Sequence, residues 1–338
     1  MKFIGSVFLV IILLQSQHVN GQFQKLLDGR TIDTNYVQLV PGFWSIRAFG
    51  SYKFHNVQFK NSTGDFVKYS YPNSWYTGLG FAYKFIIVDA GISLSEYEDE
   101  GIDKFNLSGN LVLDNDYITA VFMKHQGLQQ TSSLQEVSVL RPDVSTTMAS
   151  LQYTHVVNGE RLSWRSSFTG DQIQRRSTAS ILWGAYFTWD KLDADSSVIP
   201  LSAEYDFAEF IPYNFQSYSL GAKLGAAFNL VIAKGLLWQN SLNPGVGIAY
   251  QLNEDTNALL VKEFYPEMHL SALSAISYIN NKWYTTFSYE NDVFLSRLAN
   301  ESNYQYRYGQ VKLTLGYRFG GKMPIISDLE EIIIPHKE

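Results

Sequence analysis

The 338-residue sequence has no cysteine, which excludes disulfides, thiol catalysis and cysteine-ligated metal. Charge is sparse as well. Asp, Glu, Lys and Arg make up 17% of the chain, where a soluble domain carries about 25%. The formal net charge is -6 with no basic stripe, so nucleic acid is not expected as a partner. Proline is rare, 9 residues against 24 glycines, a balance that suits strands and tight turns. Past the N-terminal stretch, no apolar run reaches the ~20 residues of a spanning helix.

That N-terminal stretch reads as an export signal over residues 1–21. Lys2 precedes an apolar run from Phe3 to Leu14, and a short polar segment ends in Val19-Asn20-Gly21. The competing reading, a helical anchor, asks for a longer run. No cysteine follows the run, so no lipid anchor is expected. The mature chain would start near Gln22, and loss of Lys2 takes the formal charge from -6 to -7.

What the sequence has in abundance is aromatic side chains, 15% of residues, and a period-two pattern. In Ser217–Leu230 one face carries Tyr218, Leu220, Leu224 and Phe228, and the other carries Ser217, Ser219, Lys223 and Asn229. In Gln310–Phe319, Val311, Leu313, Leu315, Tyr317 and Phe319 oppose Gln310, Lys312, Thr314, Gly316 and Arg318. Similar stripes run through Ala179–Trp189 and Leu162–Thr169. In a soluble sandwich the apolar face would be the core; in a membrane barrel it meets lipid, and the polar face lines the lumen. Many segments run past the ~5–6 residues of soluble strands to the ~9–11 of tilted membrane strands. The expected fold is therefore all-β, a single antiparallel transmembrane β-barrel.

Candidate strands fall near 43–59, 75–84, 86–95, 105–114, 116–125, 146–157, 161–169, 178–190, 216–231, 236–250, 265–279, 282–295 and 305–319. An even number is required in a single-chain bacterial barrel. An added strand within 199–210 gives fourteen, the first choice, and also brings the turns at Asn158 and Lys234 to one side; twelve is the second. Asn243-Pro244-Gly245 predicts a bulge or break, because proline has no N–H for the ladder. The layout is a signal (1–21), a lead-in (22–42), the barrel (43–319) and a periplasmic tail (320–338). The location implied is the outer membrane of a Gram-negative cell. Its lipid and the barrel-assembly machinery would be the partners.

Chemistry is harder to find. His55, His125, His155, His269 and His336 lack metal-ligand spacing, and no nucleotide loop is present; no cofactor is expected. His155 followed by Glu160 invites a lipid-hydrolase reading, but His155 shares the apolar parity of Leu151 and Tyr153. Charges expected in the lumen are Arg47, Asp89, Arg165, Lys223, Glu290, Lys312 and Arg318. They read either as a selectivity lining or as salt bridges filling a narrow barrel; the modest strand number favours the second. Glu290 should sit opposite residue 310 across a loop centred near Asn300. Function stays open between a structural or pore-forming barrel, a lipid-modifying outer-membrane enzyme and a secreted soluble β-protein.

Three stretches, in order, resemble a Bacteroidota family known as domain of unknown function 4421. The first is Asp33-Thr34-Asn35-Tyr36-Val37. The second is Tyr71-Pro72-Asn73 with Gly78-Leu79-Gly80 and Tyr83-Lys84. The third is Arg141-Pro142-Asp143 followed by Gln174-Arg175-Arg176-Ser177, with Tyr153, Ser163 and Arg165 between. The chain departs from the family at Thr178-Ala179-Ser180, where a more glycine-rich run is usual. The resemblance implies an outer-membrane-barrel-like fold and no activity. A hairpin of 146–157 with 161–169 would bring its open ends together, so Arg141, Asp143, Gln174, Arg175 and Arg176 are expected to form one rim cluster, as a loop clasp or an anion site.

Overall fold

Strands that must place apolar side chains on lipid and polar ones inside need long, uninterrupted alternation, and the computed structural model shows it. It describes residues 32–40, 44–71, 75–83, 86–94, 103–113, 115–133, 135–198, 214–254, 260–280, 282–298 and 302–320. The expected signal, most of the tail and the strand sought in 199–210 lie outside these residues. The strands are β1 (Val37–Leu39), β2 (Trp44–Lys60), β3 (Phe66–Ser70), β4 (Trp75–Tyr83), β5 (Ile86–Ser93), β6 (Asp103–Val112), β7 (Asp116–Ser132) and β8 (Gln135–Val156). They continue as β9 (Gln172–Gln174), β10 (Thr178–Asp193), β11 (Asn214–Ala233), β12 (Leu236–Glu254), β13 (Leu260–Ile279), β14 (Trp283–Arg297) and β15 (Asn303–Phe319).

Neighbouring strands pair antiparallel from β10 round to β15, and β15 closes on β2 from Asn303↔Lys60 to Phe319↔Trp44. Twelve strands form the ring: β2, β4 to β8, and β10 to β15. The short strand β3 adds a second connection. It joins the far part of β2 (Asn56↔Ser70 to Lys60↔Phe66) to the far part of β7 (Val67↔Ser132 to Ser70↔Gln129). Nearer the termini, the same two strands are bridged by β4, β5 and β6 instead. At the level of β3 the ring therefore runs through β2, β3, β7, β8 and β10 to β15, ten strands.

Side chains sort as the alternation predicts. On β11, Leu220, Leu224 and Phe228 are exposed, while Ser217, Ser219, Lys223 and Asn229 are buried. On β10, Ile181, Trp183 and Phe187 face out and Leu182 and Tyr186 face in. An outward stripe of this size would be an association hazard in water and is what a lipid-facing wall requires. Trp44 stacks on Phe319 with ring centroids 4.2 Å apart, securing the seam beside the termini.

The expected strand 161–169 is a correction. After β8 the chain turns at Asn158, whose carbonyl accepts from the Arg161 and Leu162 N–H groups. It then enters the lumen and makes one 3-10 turn at Arg165–Ser167. Serine drives this departure: the Ser163 hydroxyl accepts from Ser166 N–H at 3.0 Å, and the Ser166 hydroxyl donates to the Ser163 carbonyl. Such local bonds compete with a ladder. With 161–169 removed, the connections from β4 to β5, β6 to β7, β8 to β10, β11 to β12 and β13 to β14 share one end with Trp44 and Phe319. Parity is then satisfied by twelve, and the reason for preferring fourteen disappears. β12 runs through Asn243-Pro244-Gly245 without a register shift; only its pairing to Leu224 and Gly225 of β11 is interrupted.

Placing Arg at Leu224, which is 66% exposed on the outer wall, should cost roughly 2–4 kcal/mol if the site lies near the bilayer midplane. Urea titration of the protein folded into vesicles measures this. An unchanged midpoint for Leu224→Arg would show that the face meets water.

Candidate functional site

The segment between β8 and β10 is a plug across the turn end of the barrel. Leu162 and Trp164 are buried there, packed with Val112, Val156, Leu182, Ala227 and Leu273. Its backbone is tied to the wall by polar side chains. Thr286 Oγ1 donates to the Ser167 carbonyl at 2.8 Å, Asn229 Nδ2 to the Ser163 carbonyl at 2.9 Å, and Arg47 Nη1 to the Phe168 carbonyl at 3.0 Å. Arg165 pairs with Asp171 inside the plug. Gly170, at φ +72°, turns the chain where a Cβ would come 3.0 Å from the Tyr284 ring.

Gln174 locks this arrangement. Its Oε1 accepts from Ser163 N–H and Asn229 Nδ2, both at 2.9 Å. Its Nε2 donates to the carbonyls of Arg161 (2.7 Å), Arg176 (2.9 Å) and Tyr36 (3.3 Å). Tyr36 belongs to the lead-in, which folds back so that β1 pairs with β9 from Val37↔Gln174 to Leu39↔Gln172. The guanidinium groups of Arg161 and Arg176 lie over the Tyr36 ring at 5.2 and 5.9 Å. Asp33 accepts from Arg161 at 3.1 Å; the Asn35 backbone N–H, aided by Arg161, holds its carboxyl below the usual range.

Beyond the plug the lumen carries a chain of charge-assisted bonds. Arg47 grips Asp89 through two contacts of 2.6 Å, and Lys312 Nζ reaches the same carboxylate at 2.5 Å. Gly80 makes room for this: a Cβ there would fall 1.9 Å from Asp89 Oδ1 and 2.8 Å from Arg47 Nε. Glu290 accepts from Gln310 at 3.0 Å, in the expected register Glu290↔Gln310. Gln152 donates to Asp292 and Tyr308 at 3.0 Å and accepts from Lys223 at 2.9 Å. His269 Nε2 lies 3.0 Å from Asp292 Oδ1. Arg318 stacks over Tyr284 at 5.5 Å. Toward the loop end the lumen becomes a buried aromatic and aliphatic core that includes Phe59, Tyr69, Leu128, Met148, Phe215 and Tyr304.

The structure thus places Arg47, Asp89, Lys223, Glu290, Lys312 and Arg318 on the inner face of the wall and Arg165 in the plug. It does not bring the expected rim cluster together. Arg141 holds Asp143 at 2.7 and 2.8 Å and donates to Gln130 at 3.1 Å near the loop end of β8. Gln174, Arg175 and Arg176 sit at the opposite end, where Arg175 donates to Gln38. The separation follows from losing the 161–169 strand, whose hairpin would have carried them back. Sequence reading missed Lys53, Asp292 and His269, although Lys53 shares the parity of Arg47 and Asp292 that of Glu290, both of which it placed inside; His269 on β13 shares the parity of the buried Leu273, opposite the outward Met268 and Leu270. His155 faces outward, 2.7 Å from Asp116, which also accepts from Tyr153 at 2.7 Å. Its ring lies 5.1 Å from Trp183, and this group holds no serine or cysteine nucleophile.

A closed antiparallel ring with an outward apolar face and a tied inner segment defines a plugged transmembrane β-barrel. The chain belongs to the family described as "Domain of unknown function (DUF4421)", which residues 31–319 match. A search of curated proteins returns no match. Among solved structures, the outer membrane protease OmpT of Escherichia coli is similar at 8% identity, over 83% of this chain and 98% of that one, with a TM-score of 0.42. The β domain of the Bordetella autotransporter BrkA gives 13%, 84%, 99% and 0.33. The attachment invasion locus protein Ail of Yersinia pestis gives 11%, 82%, 99% and 0.23.

Arg47 connects wall, plug and the Asp89–Lys312 group, so Arg47→Gln should remove about 1.5–3 kcal/mol, the worth of hydrogen bonds to a charged group. It should also expose residues 157–177 to protease. An unchanged unfolding midpoint together with unchanged protection would show that the plug is held by other contacts.

Proposed function

We propose that the protein is an outer-membrane barrel sealed against free diffusion, exported by its N-terminal signal and inserted by the barrel-assembly machinery. The observation that carries this reading is that the lumen is filled at both ends. The 157–177 plug occupies the turn end, and a buried core of aromatic and aliphatic side chains occupies the loop end. Short turns belong on the periplasmic side of such barrels, so the plug and the β1–β9 pair would face the periplasm. The charged groups between the two fillings act chiefly as internal ties, since most are engaged with one another instead of lining a through-path. A secreted soluble protein would have to expose the whole outward stripe to water, which disfavours that alternative. A lipid hydrolase at His155 would need a nucleophile that its neighbours do not supply.

Cell fractionation should recover the protein with the outer membrane, with heat-modifiable gel mobility. In planar bilayers the same purified sample should give no stable conductance steps. Recovery in the soluble periplasm would sink the location, and steady ohmic channels would sink the sealed lumen.

A further inference from the structure

Ionisable side chains that face lipid are costly, and where they persist they mark a function. The outer wall carries such a group at its turn end. Asp116, the first residue of β7, stands opposite His155 of β8. His155 in turn stands opposite Trp183 of β10. The side chains of His155 and Asp116 keep 18% and 15% of their surface open, so the pair is reachable from outside the wall. Its surroundings are apolar: Leu111, Leu151, Val157 and Ile181 are all exposed. Neither the plug nor the lumen makes any use of this group.

The hydrogen bonds set its chemical character. Asp116 Oδ1 accepts from the Tyr153 hydroxyl and from His155 Nδ1, each at 2.7 Å. A carboxylate has no proton to give, so Nδ1 is the donor, and the neutral ring then presents a lone pair at Nε2. Among the described residues nothing bonds to that Nε2 or to Asp116 Oδ2, and no Lys or Arg pairs with the carboxylate. The group therefore offers free acceptors and one negative charge. Beside them is an aromatic face: the Trp183 ring lies 5.1 Å from the imidazole and 5.7 Å from the Tyr153 ring. A carboxylate, a lone pair and an indole together suit an ammonium with N–H donors. An anion would meet like charge, and a neutral hydroxyl would leave the carboxylate uncompensated beside hydrocarbon.

We infer that Asp116, His155 and Trp183 form a binding site for the head of a phospholipid with a primary amine, as in phosphatidylethanolamine. The free Oδ2 of Asp116 takes the charge, the imidazole lone pair is a second acceptor, and the indole flanks the ammonium. The acyl chains run from there over Ile118 and Leu151 toward the loop end. A lipid fits better than a soluble amine because the acceptors face out of the wall and are ringed by exposed apolar side chains. This rests on the reading of the outer wall as lipid-facing. A lipid held there bridges β7, β8 and β10, and the plug leaves the wall from β8 and rejoins it at β10.

The test uses the mature protein refolded into phosphatidylcholine vesicles that carry one brominated phospholipid at a time, read by quenching of tryptophan fluorescence. Trp183→Phe supplies the background from the other tryptophans. Brominated phosphatidylethanolamine should quench Trp183 as though enriched about tenfold over random mixing, equivalent to roughly 1.4 kcal/mol. Brominated phosphatidylcholine, whose ammonium has no N–H, and brominated phosphatidylglycerol, which has no ammonium, should quench only as their bulk fractions require. Asp116→Asn keeps the shape and removes the charge, and should return phosphatidylethanolamine to random mixing. A preference for phosphatidylglycerol overturns the inference, as does enrichment that survives in folded Asp116→Asn. If that variant does not fold, the comparison of heads in the unaltered protein decides. Quenching by none of the lipids counts against the lipid-facing wall, whereas equal quenching by all of them counts against the site alone.

Discussion

Every backbone N–H and C=O that crosses hydrocarbon has to find a partner within the protein, and ring closure is how this chain complies. The β2–β15 ladder unites residues more than 240 positions apart, from Trp44↔Phe319 to Lys60↔Asn303. Only with that seam formed does the sheet enclose a lumen. It defines an inside, and only an inside can bury Arg47, Lys223 and Arg318 while exposing Leu220, Leu224 and Phe228. The antiparallel ladders between sequence neighbours are local and need no such long-range closure. The seam has the greatest loop entropy to overcome, and the Trp44–Phe319 stack sits at its end.

Given an inside, the family motifs acquire a shared purpose. The stretch Asp33–Val37 and the stretch Gln174–Ser177 are far apart in sequence and meet at Tyr36, where Gln174, Arg161 and Arg176 all engage one residue. Gly80, of the second motif, keeps the Arg47–Asp89 contact short, and Arg47 in turn holds the plug at Phe168. The lead-in, the wall and the plug are therefore one polar assembly. Arg141 and Asp143 are the exception: they form a separate clasp at the other end.

Much of the barrel was legible because period-two alternation is a direct record of two-sided solvation. Twelve of the thirteen expected strands lie in the ring, β7 and β8 run seven and eleven residues further toward the loop end than expected, and the seven expected lumen charges point inward or into the plug. The failures have physical causes. Leu162, Trp164 and Phe168 alternate with polar residues as a strand does, but all are buried or half-buried, because the segment is enclosed by the wall and has no outer face. Strand β3 is five residues long, too short for periodicity to declare itself. The convergence of Lys53 with Lys312 depends on the seam register, which no local pattern contains. The short pairing of β5 with β6, at Ile86↔Leu111 and Ile87↔Asn110 alone, is invisible in sequence, since each strand alternates correctly by itself.

A sheet with ten rows at one end and twelve at the other contains what a crystallographer of metals would call an edge dislocation, created where β4, β5 and β6 replace β3 between β2 and β7. Such a defect cannot be removed by small motions, because the extra rows have to end somewhere in the lattice. It also concentrates elastic compliance: a strained lattice yields first at its dislocation core. In this wall the core is the diverging pair β5 and β6. Compliance is therefore greatest where strands are joined at only two residue pairs, while the ladders from β7 through β15 to β2 hold their neighbours along most of their length.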